Sequence, residues 1–176
     1  MDFENYLKEK GELLSFAAGE HIFRQGDSDG ALYMVREGTL KAYYLTEGGR
    51  EQVKSFLMPG NVIGSLTAAY ASEPNTFSLV CLAESTLIRF SFADMRALAR
   101  ENAAIAERMI DLLLSLAMKK ERREYEFLCL SAEERYRLLL ERSPGLVGKV
   151  TQQDIALYLG ITPVALSRIK KRIQAG

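Results

Sequence analysis

Tryptophan is absent from the 176 residues, histidine occurs once and cysteine only twice. Each scarcity excludes something. Cys81 and Cys129, far apart in sequence, cannot build a disulfide framework and read as reduced thiols of a cytosolic protein. No CxxC pair is present, so neither a zinc site nor an iron–sulfur cluster held by this chain alone is expected. The lone His21 lies beside Ile22 and Phe23 in a strand-like segment, the place of a sheet-face residue rather than a catalytic base or haem ligand. With no nucleophile–base pairing and no Walker or dinucleotide-binding loop, no enzymatic chemistry is recognisable. Apolar runs reach only a few residues, too short to span a membrane. The opening Met1-Asp2-Phe3-Glu4 has neither the basic nor the apolar region of a signal peptide. The expectation is a cytoplasmic protein without membrane partner or metal.

What is present fits one domain or two small ones, with 48% hydrophobic and 26% charged residues. A net charge of zero hides an asymmetry. Residues 1–118 hold 11 Lys+Arg against 16 Asp+Glu, a balance of −5, and residues 119–176 hold 12 against 7, a balance of +5. An acidic front and a basic back point to a polyanion as partner of the back.

From about Leu13 to Ser91 glycines recur every few to a dozen residues, separating short segments rich in β-branched and aromatic residues, such as Leu32-Tyr33-Met34-Val35 and Val53-Lys54-Ser55-Phe56-Leu57. This spacing predicts an all-β antiparallel sandwich or barrel. Residues 93 to about 130 contain no Gly or Pro and are rich in helix formers. Ile105, Met109, Leu112 and Leu116 form a heptad-like seam, while Ile110, Leu113 and Ala117 add a second apolar face. A helix apolar on two sides must bury both, one against the β domain and one against a second subunit. The seam is taken as the dimer contact. Ser131-Ala132-Glu133-Glu134 reads as a capping box that starts a new helix. The domains expected are therefore 1–92, 93–130 and 131–176.

The last segment is the most informative. Thr151 caps a short helix through Leu159, Gly160 ends it in the left-handed conformation, and Thr162-Pro163 opens another. Small Ala156 and apolar Ile155, Leu159, Ile161, Leu166 and Ile169 occupy the buried positions of a helix–turn–helix. The exposed face of its last helix then presents Pro163, Val164, Ser167, Arg168, Lys171 and Arg172. Arg168 is placed for a guanine edge or a phosphate. Lys170, Lys171 and Arg172 suit phosphates, as do Thr151 and Gln152 at a helix N-terminus, and the capping Thr162 joins this DNA-facing set.

Phe16-Ala17-Ala18-Gly19-Glu20-His21-Ile22-Phe23-Arg24-Gln25-Gly26-Asp27, Leu32-Tyr33-Met34-Val35-Arg36-Glu37-Gly38, Pro59-Gly60-Asn61-Val62-Ile63-Gly64 and Leu166-Ser167-Arg168 resemble, in order, the signature blocks of the Crp/Fnr superfamily of bacterial transcription regulators. The resemblance covers almost the whole chain. It implies an α+β fold: an N-terminal jelly roll like that of cyclic-nucleotide-binding domains, a long central dimerisation helix and a C-terminal helix–turn–helix domain. It implies a homodimer on a (pseudo)palindromic double-stranded DNA site, with RNA polymerase as a further candidate partner.

Three departures follow from the same comparison. Where cyclic-nucleotide binders carry Gly-Glu and then Arg-Ser, this sequence has Gly64-Ser65 and Asn75-Thr76. Without the Arg a desolvated cyclic phosphate would lack its main partner, which argues against cyclic AMP. Gly64, Ser65, Asn75 and Thr76 could still line a pocket for a less charged effector, or line none; no cofactor is implied with certainty. Val164 stands where many relatives have a cytosine-reading Glu, so a different operator is expected. The sequence stops at Gly176, without the family's β-hairpin wing, which suits a naturally short member or a truncated one. The competing reading is a ligand-sensing or protein-interaction module whose helix–turn–helix no longer binds DNA; absence of salt-dependent DNA binding would distinguish it.

Overall fold

The computed structural model describes residues 2–175. Eight strands lie among them: β1 (Glu12–Phe16), β2 (His21–Phe23), β3 (Ala31–Glu37), β4 (Leu40–Leu45), β5 (Glu51–Leu57), β6 (Val62–Ile63), β7 (Ser78–Cys81) and β8 (Ser85–Ser91). They form two four-stranded sheets in the orders β1-β8-β3-β6 and β2-β7-β4-β5. First pairs with last and so inward, β1 with β8, β2 with β7, β3 with β6 and β4 with β5, every pair antiparallel. This is the jelly-roll pairing, and with the helices that follow it gives the whole chain an α+β fold.

Strand periodicity fills the space between the sheets. Ala31, Tyr33 and Val35 from β3, Leu40 and Ala42 from β4, and Leu79, Cys81 and Leu87 interdigitate there. The turn joining β3 to β4 depends on Gly38: its φ is +98°, and a Cβ would lie 2.1 Å from Ser85 Oγ. The Cys81 thiol is buried in this core, and burial pushes its pKa up, as suits an inert thiol.

Helices interrupt the segment that reads as all-β. Helix α1 (Phe3–Lys10), capped by Asp2, precedes it, and α2 (Leu66–Ala71), capped by Ser65, sits inside it. Residues 93–130 likewise divide into α3 (Phe92–Leu98) and the 27-residue α4 (Ala103–Cys129), because the Asn102 side chain caps a fresh helix by accepting from Ile105 N at 3.2 Å. Tyr6, Leu7, Leu32, Phe90, Phe92, Met95, Ile105 and Met109 form a second core, which fixes α1, α3 and the start of α4 on the outer face of one sheet.

Helix α5 (Ala132–Arg142) begins at the expected capping box, with Ser131 and Glu134 bonded reciprocally. It packs with α6 (Gln152–Leu159) and α7 (Pro163–Ala175) around Tyr136, Leu139, Ile155, Leu159, Leu166 and Ile169. Phe56, Met58 and Leu82 of the jelly roll join this third core, so the helical domain rests on the β4–β5 side of its own protomer.

Candidate nucleic-acid interface and sensor pocket

The interface is assembled by its caps and its turn. Thr151 Oγ1 accepts from Asp154 N at 3.0 Å and donates to Asp154 Oδ2 at 2.7 Å, fixing the start of α6. Gly160 ends α6 at φ +69°, and a Cβ there would meet the Phe127 ring at 2.9 Å. Thr162 Oγ1 accepts from Ala165 N at 3.2 Å and opens α7. Ile155, Ala156, Leu159, Leu166 and Ile169 are buried as the pattern requires, with Ile161 half-buried at the turn. Two helices joined by this turn make a helix–turn–helix.

The residues expected to face DNA divide into two groups. Pro163, Val164, Ser167, Arg168 and Lys171 are exposed, and no hydrogen bond or ion pair ties their side chains to the described residues. Lys170 and Arg172 are occupied within the protomer: Lys170 Nζ donates to Gln152 Oε1 at 2.9 Å, and Arg172 pairs with Glu133 at 3.0 Å. The Thr151 and Thr162 hydroxyls serve as caps, and Gln152 is the acceptor for Lys170. The free part of the basic face is therefore narrower than the sequence suggests, and it centres on Arg168.

The proposed sensor residues are not joined to one another. Gly64 packs against β3, where a Cβ would lie 2.5 Å from Leu32 Cδ2 and 2.7 Å from the Ala31 carbonyl oxygen. Ser65 is buried and caps α2, accepting from Ala68 N at 3.3 Å. Asn75 is 2% exposed; its backbone bonds to Asp27 and Gly26, while its side-chain amide has no partner among the described residues. Thr76 is exposed. No positive group stands in the Asn75 position to meet a phosphate.

The start of the long helix is used inside its own protomer, and both of its apolar faces contribute, Leu112 and Leu113 alike packing on the second core. Ile105 is 0% exposed and Met109 9% exposed, both inside their own protomer's second core, with Leu112 and Leu116 half-buried. The expected dimer seam is thus largely internal at its N-terminal end. The outward apolar face is Ile110, Leu114 and Met118, each more than half exposed and four residues apart, with Ala117 beside them. Spacing identifies an apolar face but not which of two faces meets the β domain.

The sequence also hides a set of contacts between the two domains. Lys41 Nζ donates to Glu51 Oε2 at 2.8 Å and to Asp154 Oδ1 at 2.9 Å, binding β4 and β5 to α6. Burial alone would lower the Lys41 pKa, but the two carboxylates outweigh it and the net displacement is upward. Arg123 of α4 donates to the carbonyls of Tyr158 and Val53, and its guanidinium lies 3.7 Å from the Tyr158 ring centroid. Phe56 and Tyr158 pack ring to ring at 5.4 Å. An open cleft of about 560 Å³ borders this junction, lined by Lys41, Arg50, Glu51, Gln153 and Asp154 among others. A lysine between Leu40 and Ala42 in an otherwise apolar strand was the available signal; Asp154 reads from sequence only as part of a cap.

Comparison with known proteins agrees with this architecture. Residues 13–102 match the family described as the cyclic nucleotide-binding domain. The chain is 30% identical over 173 positions to the nitrogen fixation regulation protein FixK of Rhizobium meliloti, covering 92% of this chain and 75% of that one. The chain belongs to the Crp/Fnr family. Another Crp/Fnr relative, electron transport regulator A of Shewanella oneidensis, is 28% identical over 167 positions, covering 89% of this chain and 66% of that protein, so the chain spans a little under two thirds of its length. The structure of FixK2 from Bradyrhizobium japonicum superposes with a TM-score of 0.80 at 20% identity, covering 94% of this chain and 85% of that one, and so shares the Crp/Fnr fold. Among the described residues no helix is long and apolar enough to cross a membrane, and no group of His, Cys, Asp and Glu is arranged to hold a metal.

Proposed function

We propose that this chain is a homodimeric, sequence-specific DNA-binding transcription regulator of the cytoplasm, controlled through its jelly roll by an effector other than cyclic AMP. The observation that carries the reading is the outward side of α7, where Val164, Ser167, Arg168 and Lys171 are exposed and unengaged while the rest of the motif is buried or used in caps. Arg168 reads a base edge or a phosphate, Val164 supplies apolar contact such as a thymine methyl, and Lys171 meets the backbone. Pairing through Ile110, Leu114 and Met118 would set two such helices on half-sites about one helical turn apart.

Cyclic AMP is disfavoured by Asn75, a buried neutral amide in the place where a phosphate needs a cation, and by Ser65, whose side chain is engaged in capping α2. The effector acts by changing the relative weight of two arrangements of the helical domain, which requires different affinities for the two.

Fluorescence anisotropy with DNA from upstream of the protein's own gene tests the reading, at two salt concentrations, with and without cyclic AMP, against a scrambled duplex. Salt-sensitive preference for the upstream DNA, unchanged by cyclic AMP, is the expected result. Enhancement by cyclic AMP would overturn the effector assignment alone.

A further inference from the structure

Two glutamates stand side by side at the start of α5, and their carboxylates face different partners. Glu134 closes the capping box, accepting from Ser131 N at 2.8 Å, so its charge is committed to its own helix. Glu133 takes no part in that cap. Its Oε1 accepts from Arg137 Nη2 at 3.0 Å, and its Oε2 lies 3.0 Å from Arg172 Nη2 of α7. Residues 163–175 of α7 include no acidic residue, and among the described residues Glu133 is the one carboxylate paired with that helix. The other cations on the outward side keep their charge: Arg168 and Lys171 have no ion-pair partner among the described residues, and Lys170 meets the neutral amide of Gln152. Arg172 follows Lys171 and stands one turn from Arg168, so the carboxylate borders the face that carries Arg168. Both arginines are more than half exposed, at 57% for Arg137 and 66% for Arg172. Ion pairs this exposed hold weakly, and a phosphate is a strong competing acceptor for a guanidinium.

We infer that Glu133 is an internal competitor of the DNA backbone: its carboxylate holds Arg172 and Arg137 against nucleic-acid phosphates and keeps the affinity for all DNA below what these cations would give. This rests on the reading of α7 as the DNA-facing helix and deepens it in two ways. The phosphate-facing surface extends from α7 onto α5, with Arg137 as its outer member. The level of affinity is set by a different residue from the one that reads sequence, because phosphate contacts act alike on every duplex whereas Arg168 discriminates between them. Glu133 thus lowers binding to any duplex in the same proportion and leaves selectivity to Arg168.

Anisotropy of the full chain on the upstream duplex and on its scrambled counterpart, at two salt concentrations, tests this with the wild type, Glu133→Gln, Arg172→Ala and the double variant. Glu133→Gln should bind both duplexes about fivefold more tightly at the lower salt and steepen the salt dependence by about one phosphate contact. The preference between the duplexes should stay as in the wild type. Arg172→Ala should weaken the wild type little but remove most of the gain in the double variant, since the released guanidinium is what makes the new contact. A carboxylate that only ties α5 to α7 would behave oppositely, its loss lowering the thermal midpoint and weakening DNA binding. Glu133→Gln that binds no more tightly than a binding wild type, or that unfolds, would overturn the assignment and leave the DNA-binding reading intact. Absence of binding to either duplex by both the wild type and Glu133→Gln would overturn the DNA-binding reading, and this inference with it.

Discussion

The Lys41 ammonium on β4 lies 2.9 Å from the Asp154 carboxylate on α6, and both side chains are about nine-tenths buried. One ion pair thereby joins the jelly roll to the first helix of the helix–turn–helix, with Glu51 completing the triad at 2.8 Å. Lys41→Met would leave Asp154 and Glu51 facing one another with their shared cation gone. It should destabilise the protein by about 3 kcal/mol in urea unfolding. Adding Asp154→Asn should recover part of the loss, whereas equal and additive losses would mean that the two residues do not act on each other.

The outward face of α4 predicts how the protein associates. Leu114→Glu should leave secondary structure intact by circular dichroism and weaken dimerisation at least about 100-fold in sedimentation equilibrium, because each copy would bury an unpaired carboxylate. Ile105→Glu should unfold the protomer instead, since Ile105 lies wholly within its core. A Leu114→Glu protein that remains a tight dimer would remove this face from the interface.

His21 is the single histidine, so its proton NMR titration is unambiguous. Burial is the main cause that lowers its pKa from the ordinary 6.5, with the Arg24 charge adding to it. The unfolded chain then binds the proton more readily than the folded one. The stability this contributes is full above the ordinary histidine pKa and falls as pH drops through the window down to the lowered value. The titration midpoint should lie below 6.5, and His21→Gln should flatten the stability profile across that window. A midpoint at or above the ordinary value would show that the Tyr43 hydroxyl, 2.9 Å from Nε2, stabilises the charged ring.

Much of the architecture is legible in the sequence, for local reasons. Gly38 and Gly160 mark turns because their backbones need positive φ, and the Ser131–Glu134 box starts a helix wherever the chain puts it. The helix–turn–helix is legible because its buried positions are close in sequence. The break at Asn102 is harder to see, since an asparagine inside a glycine-free, proline-free run of helix formers reads as a tolerated surface residue rather than a cap. The choice of face on α4 is not local at all: Ile105 and Ile110 are chemically alike, and only the docking of α1 and α3 decides which is buried. For the same reason the partners of Lys41, Arg123 and Lys170 could not be read, because each lies on a different element. Gly64 and Ser65, carried over from the family resemblance, have packing and capping roles that depend on β3 and α2, elements whose docking is not written in the local sequence.

The central claim is that α7 reads DNA through Arg168. Selection from a random-duplex pool by the full chain, followed by anisotropy on the selected duplex with wild type, Arg168→Ala, Lys171→Ala and Arg172→Ala, tests it most directly. The account predicts enrichment of a two-fold symmetric site with half-sites about one helical turn apart. Arg168→Ala should lose about 1–3 kcal/mol on that site and little on scrambled DNA. Lys171→Ala should weaken both duplexes alike and reduce the salt slope by about one, with a smaller effect for Arg172→Ala because Glu133 already holds that side chain. Failure to enrich any sequence, or enrichment that Arg168→Ala leaves unchanged, would contradict the account.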